Sequence, residues 1–137
     1  ARTLVRRVLP LKRAGASVTV LIGESSASLG GRWKRHLERN GASVDHAKSQ
    51  DDAAGLIEKR PYEVIVLDLV LAEGSAFAVA DYASYRRPDA KIIFVTNTTF
   101  FSDGSIFQHI PNACAFLPTE TPPDDLLALV EHYSVAH

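Results

Sequence analysis

Glu63-Val64-Ile65-Val66-Leu67-Asp68, continuing as Leu69-Val70-Leu71-Ala72-Glu73-Gly74, is the stretch on which the fold turns. The apolar run from Val64 to Leu67, rich in β-branched side chains, has no polar face. It therefore suits a strand of a parallel sheet that is covered on both sides. The run ends on Asp68, and a carboxylate at the tip of a hydrophobic strand is costly to desolvate unless something cationic meets it.

Similar runs lie on either side. Val18-Thr19-Val20-Leu21-Ile22 and Lys91-Ile92-Ile93-Phe94-Val95 read as buried strands, Ala42 to Ala47 as a half-polar edge strand, and Ala115-Phe116-Leu117 as a brief fifth. Helical patterns fill the gaps. Leu29, Trp33 and Leu37 recur every four residues up to the stop signal Asn40-Gly41, and Trp33 is expected to anchor that helix to the sheet. Ser49 with Asp52 resembles a capping box ahead of Ala53, Ala54, Leu56 and Ile57, closed by Pro61. A third helix spans Phe77 to Arg86 and stops before Pro88. Phe100 to Ile110 predicts a short fourth helix, made unsteady by Gly104 and the early Pro111. The last opens at Asp124 or Asp125, with Leu126, Leu127, Leu129, Val130 and Tyr133 as its core-facing stripe. This alternation implies right-handed crossovers and an open, doubly wound parallel sheet, with any site at the carboxyl ends of its strands.

A chain of 137 residues, 46% hydrophobic and 23% charged, matches one globular domain and leaves no room for a second. Cys114 is the only cysteine, so an intramolecular disulfide is impossible, and among apolar neighbours it reads as an inert buried thiol. No apolar stretch approaches the roughly 20 residues of a bilayer span, and no secretory cleavage pattern is visible, so a cytoplasmic location without membrane contact is expected. The net charge of −1 hides an asymmetry: residues 1–16 hold Arg2, Arg6, Arg7, Lys12 and Arg13 with no acid. The remaining ten bases face sixteen acids, so residues 17–137 carry −6, which argues against nucleic-acid binding by the domain itself. The arm has Leu4, Val5, Val8 and Leu9 at helical spacing before Pro10 and reads as a solvated or partner-packed extension.

The polar residues at the strand tips converge in such a sheet: Gly23-Glu24-Ser25, Asp68, Thr96-Asn97 and Pro118-Thr119. Glu24 and Asp68 at neighbouring tips would supply hard oxygen ligands for Mg2+. His36, His46, His109, His132 and His137 show no ligand spacing and read as solvated surface residues.

Here a resemblance becomes specific. Val64 to Gly74 looks like the phosphoacceptor strand of response-regulator receiver domains, an aspartate after an apolar run with a glycine six positions on. Ile92-Ile93-Phe94-Val95-Thr96 is similar to the strand bearing that family's switch hydroxyl, and Phe116 to the switch's aromatic partner. The similarity covers about residues 17–135. It implies a flavodoxin-like five-stranded parallel sheet in the order 2-1-3-4-5 with helices on both faces, a basic arm over 1–16 and the receiver over 17–137. It also implies that Asp68 accepts a phosphoryl group from a sensor histidine kinase or histidine phosphotransfer protein, that Glu24, Asp68 and the main-chain carbonyl of Val70 hold Mg2+, and that Thr96 and Phe116 switch an output face on the last helix, where some relatives form homodimers. No independent substrate turnover is implied beyond self-catalysed aspartyl phosphorylation.

The chain departs from that pattern at the acid pair, which here is Glu24-Ser25, and at the family's lysine, which falls on Thr119. No Lys or Arg follows Lys91. Ala72 stands where a proline is common. These departures leave a second reading, a pseudo-receiver that binds proteins without phosphate. A third, a flavodoxin-like FMN protein, rests on Ser25, Ser26, Ser28, Gly30 and Gly31 after the first strand, where Glu24 would repel the phosphate.

Overall fold

The computed structural model describes residues 12–13, 16–96 and 110–134. The stretch expected to hold the fourth helix, together with Asn97, His109, His137 and most of the basic arm, lies outside the described residues. Lys12–Arg13 pairs antiparallel with Ala16–Ser17. That pairing straddles the boundary drawn at residue 16, so the arm meets the domain through β-structure.

Five parallel strands follow: β1 (Thr19–Gly23), β2 (Ser43–Ala47), β3 (Val64–Asp68), β4 (Lys91–Thr96) and β5 (Ala113–Pro118). They lie in the spatial order β2-β1-β3-β4-β5, as the receiver-domain resemblance implies. Helices α1 (Ala27–Arg39), α2 (Gln50–Lys59), α3 (Ala76–Arg86) and α4 (Pro123–Ser134) connect and cover them. Strand periodicity divides the apolar residues between the faces. Leu21, Ile65, Leu67, Ile92 and Phe94 pack with Ile57 of α2 and Val79 and Ala83 of α3. On the other face Val20, Ile22, Val64, Val66, Ile93 and Val95 pack with Trp33 and Leu37 of α1 and Leu126 and Val130 of α4. The central strands are buried because both of their faces are used, which is why they read as unbroken apolar runs.

Serines start the first three helices. The hydroxyls of Ser26, Ser49 and Ser75 accept hydrogen bonds from the amides of Leu29, Asp52 and Ala78, satisfying donors that have no partner within the helix. Each serine directly follows a strand tip or its loop, so the capping that begins a helix also shapes the carboxyl rim of the sheet. The edge strand β2 tolerates polar residues because they are bonded: Asp45 accepts from the Tyr62 hydroxyl at 2.6 Å and pairs with Arg60. Burial, helped by the Asp45 carboxylate, pushes the Tyr62 hydroxyl well above its usual range.

The fifth strand is longer than its sequence suggests. Its register jumps from Ile92↔Ala113 to Ile93↔Ala115, leaving Cys114 as the extra residue of a bulge. Ala113 and Cys114 carry little strand propensity, and pairing with β4 recruits them. Cys114 is half-buried rather than fully enclosed, and burial pushes its thiol up to about 11, so it stays protonated at neutral pH. Among the described residues no helix is long and apolar enough to cross a membrane.

Candidate functional site

The loops after β1, β3, β4 and β5 emerge from one rim. Asp68 closes β3 and stands opposite Val95, one residue before Thr96 ends β4. Thr96 in turn stands opposite Pro118, and the amide of Thr119 donates to the Thr96 carbonyl at 2.9 Å. Asp68, Thr96 and Thr119 therefore occupy three adjacent strand tips, with Glu24 following β1 on the other side of Asp68.

Glu24 is anchored at both of its backbone groups. Its amide donates to the Ala47 carbonyl at 3.0 Å, and its carbonyl accepts from His46 Nε2 at 2.7 Å. With a carbonyl as partner, Nε2 must carry the proton. The imidazole lies against Gly30, where any Cβ would collide with the ring. His46 is thus a structural donor beneath the site, not the solvated residue that its spacing suggested. His36 also has a partner, Asp124 of α4 at 2.8 Å, which links two helices on the same face of the sheet.

The Glu24 side chain is 4% exposed. Its Oε2 accepts from the Ser26 amide at 2.9 Å, whereas Oε1, also buried, has no donor among the described residues. The Glu24 carboxyl group is a close neighbour of the Asp68 carboxyl. Two carboxylates offer each other only lone pairs, so their close approach is favourable only when a proton or a cation lies between them. Burial, reinforced by Asp68 and opposed by the Ser26 amide, pushes the Glu24 carboxyl up to about 8. Asp68 is less enclosed, and its Oδ1 accepts from the Val70 amide at 2.8 Å, which fixes the carboxyl plane and starts the turn into the next loop.

An orphaned buried carboxylate oxygen beside a second carboxylate is a hard-oxygen donor set and fits a divalent cation. Among the described residues no cluster of three or more His, Cys, Asp or Glu exists. Glu24 and Asp68 are thus the two side-chain carboxylates that the rim brings together.

Ser25 sits where a second acid was sought and does something the sequence did not disclose. Its hydroxyl donates to the Lys48 carbonyl at 3.3 Å and accepts from the Ala72 amide at 2.7 Å, tying together the loops that follow β2 and β3. Below the rim, Phe116 packs on Phe94 with ring centroids 6.0 Å apart and tilted by 42°. Phe77 lies 6.4 Å from Phe94 on its other flank. Phe116 is partly buried against the α2–α3 face of the core, and Thr96 is 5% exposed.

No family model matches the chain. A curated protein to which the chain is similar, the photosynthetic apparatus regulatory protein RegA of Cereibacter sphaeroides, is 27% identical over 82 residues, 60% of this chain. The match spans 45% of that relative's length, less than half of it. Among solved structures, a CheY-like response-regulator receiver domain protein from Methanospirillum hungatei superposes with a TM-score of 0.78 at 22% identity, covering 85% of this chain and 92% of that one. The receiver domain of a LuxO repressor protein from Vibrio parahaemolyticus gives 0.74 at 25% identity over 85% and 88% of the two chains. A response regulator from Burkholderia pseudomallei, whose structure carries a phosphorylated aspartic acid, a calcium ion and citrate, gives 0.74 at 23% identity over 85% and 68%. The fold is that of the response-regulator receiver domains.

Proposed function

We propose that residues 17–137 form a receiver switch of two-component signalling, in which Asp68 accepts a phosphoryl group from a sensor histidine kinase or histidine phosphotransfer protein. The observation that carries this reading is the buried Glu24 carboxylate, with an unpartnered oxygen, directed at the carboxyl group on the tip of β3. An arrangement that costs this much without a ligand is well suited to holding a cation. Mg2+ held by Glu24, Asp68 and the Val70 carbonyl would neutralise charge on the transferring group.

The protein's own residues supply the rest. The Asp68 carboxylate is oriented by the Val70 amide and attacks phosphorus. A P–O bond forms as the P–N bond of phosphohistidine breaks, and the imidazole nitrogen leaves with the electron pair. Thr96, at the adjacent tip, donates its hydroxyl to the new phosphoryl oxygen. That shift biases the position of Phe116 over Phe94 and so the surface of β5 and α4. The output face lies there, where an open groove is lined by Leu117, Pro118, Pro122 and Leu129 and rimmed by Glu120 and Asp125; a homodimer through α4 would use the same surface. The domain turns over no separate substrate, and it works in the cytoplasm.

Thr119 favours a second reading, because no cation from β5 is available to the phosphoryl group: a phosphate-independent pseudo-receiver that binds proteins through the same face. One experiment separates the two. Incubation with acetyl phosphate and Mg2+ followed by intact mass measurement should add one phosphoryl group to the wild type and none to Asp68→Asn. Equal addition to both proteins excludes Asp68 as acceptor, and addition to neither favours the pseudo-receiver.

A further inference from the structure

Two of the chain's departures from the receiver pattern, Ser25 and Ala72, meet in space. We propose that Ser25 is a positioning residue which, through the Ala72 amide, holds the loop after Asp68 in place, so that a pre-set loop stands in for the missing second acid. The inference rests on the cation-dependent receiver function proposed above and assigns a role to a residue outside the ligand set.

The hydrogen-bond chemistry requires both residues. The Ser25 hydroxyl accepts from Ala72 N at 2.7 Å and donates to Lys48 O at 3.3 Å. An ionised aspartate at position 25 could accept but has no proton to give the Lys48 carbonyl. Alanine there could do neither, and proline at position 72 has no N–H to offer. A hydroxyl at 25 together with an N–H at 72 is the combination that completes both bonds.

The same loop is fastened again further along. Gln50 donates its main-chain N–H to the Glu73 carbonyl at 3.1 Å and accepts from the Ser75 amide on its side-chain Oε1 at 2.8 Å. Gly74 between them has φ +101°, and a Cβ there would collide with the Gln50 side chain. Together with the Asp68–Val70 hydrogen bond, the loop from Leu69 to Ser75 is pinned at its start, middle and end. The Val70 carbonyl belongs to the pinned main chain. Order already present in the metal-free protein need not be created when a cation binds. A neutral hydroxyl also adds no third negative charge beside Glu24 and Asp68.

The test combines amide hydrogen exchange of the metal-free protein with calorimetric Mg2+ titration of wild type, Ser25→Ala, Ser25→Thr, Ala72→Pro and the Ser25→Ala/Ala72→Pro double variant. A net hydrogen bond corresponds to about fivefold in an equilibrium. Ser25→Ala should therefore lose roughly fivefold protection at Ala72 and bind Mg2+ roughly fivefold more weakly, while Ser25→Thr restores both. The double variant should bind no more weakly than the weaker single variant, because both changes delete the same Ala72–Ser25 bond. Faster exchange at Ala72 with Mg2+ affinity within twofold of wild type overturns the positioning role alone. Wild type that binds no Mg2+ overturns the receiver reading and this inference with it.

Discussion

Glu24→Gln tests the electrostatic core of the site. The substitution keeps the shape of the side chain and removes its charge. In the folded protein burial and Asp68 push the Glu24 carboxyl up to about 8 from its ordinary value of 4.5. The sign follows from proton linkage: between those two values the folded state binds more protons than the unfolded, so stability falls as pH rises. It is unaffected below about 4.5, declines at up to about 1.4 kcal/mol per pH unit, and levels off above about 8. At pH 7 in EDTA the accumulated penalty is about 3 kcal/mol, and the side chain is too enclosed for solvent to screen much of it. Glutamine escapes this penalty but brings an amide that is itself incompletely bonded, at a cost of about 1–2 kcal/mol. Glu24→Gln should thus be more stable than wild type by about 1–2 kcal/mol at pH 7 without metal, and its advantage should vanish at pH 5.

Excess Mg2+ should reverse the order, because binding stabilises only a protein that retains the carboxylate. As the cation binds at pH 7, Glu24 must ionise and release close to one proton. Calorimetric titrations in buffers of different ionisation enthalpy count that proton directly. The reasoning is refuted if denaturant unfolding in EDTA shows Glu24→Gln to be the less stable protein at pH 8, or if Mg2+ binding releases no proton at pH 7.

Three further changes probe other parts of the structure. Thr119→Lys returns a cation to the tip of β5 beside Thr96; a charge-assisted bond to the phosphoryl group predicts about tenfold tighter beryllofluoride binding in the presence of Mg2+, and an unchanged titration followed by NMR refutes this placement of residue 119. Gly30→Ala should gain about 1 kcal/mol from helix propensity yet lose about 1–3 kcal/mol from overpacking against His46, so a net loss in urea denaturation supports the His46–Glu24 contact and a net gain contradicts it. Ser49→Ala removes the cap of α2 and should lower unfolding free energy by about 1 kcal/mol without changing Mg2+ affinity, which calorimetry can check.

The sheet was legible because its order is written locally. Val64 to Leu67 and Ile92 to Val95 are apolar without interruption, and only a strand covered on both faces needs that composition. Once the alternation of strands and helices was set, topology alone brought Glu24, Asp68, Thr96 and Thr119 to one rim. Hydrogen bonds between distant loops were not legible. Ser25 and Ala72 are 47 positions apart, and neither residue type announces a partner; nor does His46 reveal that its ring fills the space that Gly30 leaves open. Ala113 and Cys114 fell outside the expected fifth strand because bulged pairing in β5 is decided by β4 and not by their own propensity.

The departures that the receiver resemblance assigns to this chain consequently differ in kind. Taken singly, the serine at 25 and the alanine at 72 are losses, one of charge and one of stiffness, yet in the structure each supplies what the other lacks. Thr119 has no such counterpart: its amide is spent on the Thr96 carbonyl, and the sequence provides no Lys or Arg after position 91. The side of the rim proposed to hold a cation, around Glu24, Ser25 and Asp68, is therefore braced, while the side facing β4 and β5 would offer phosphoryl oxygens hydroxyl groups without a positive charge. Such a site should bind Mg2+ more nearly like its relatives than it stabilises a phosphoryl group. That imbalance makes separate measurement of the two the decisive way to distinguish a working receiver from a domain that keeps the fold and signals by contact.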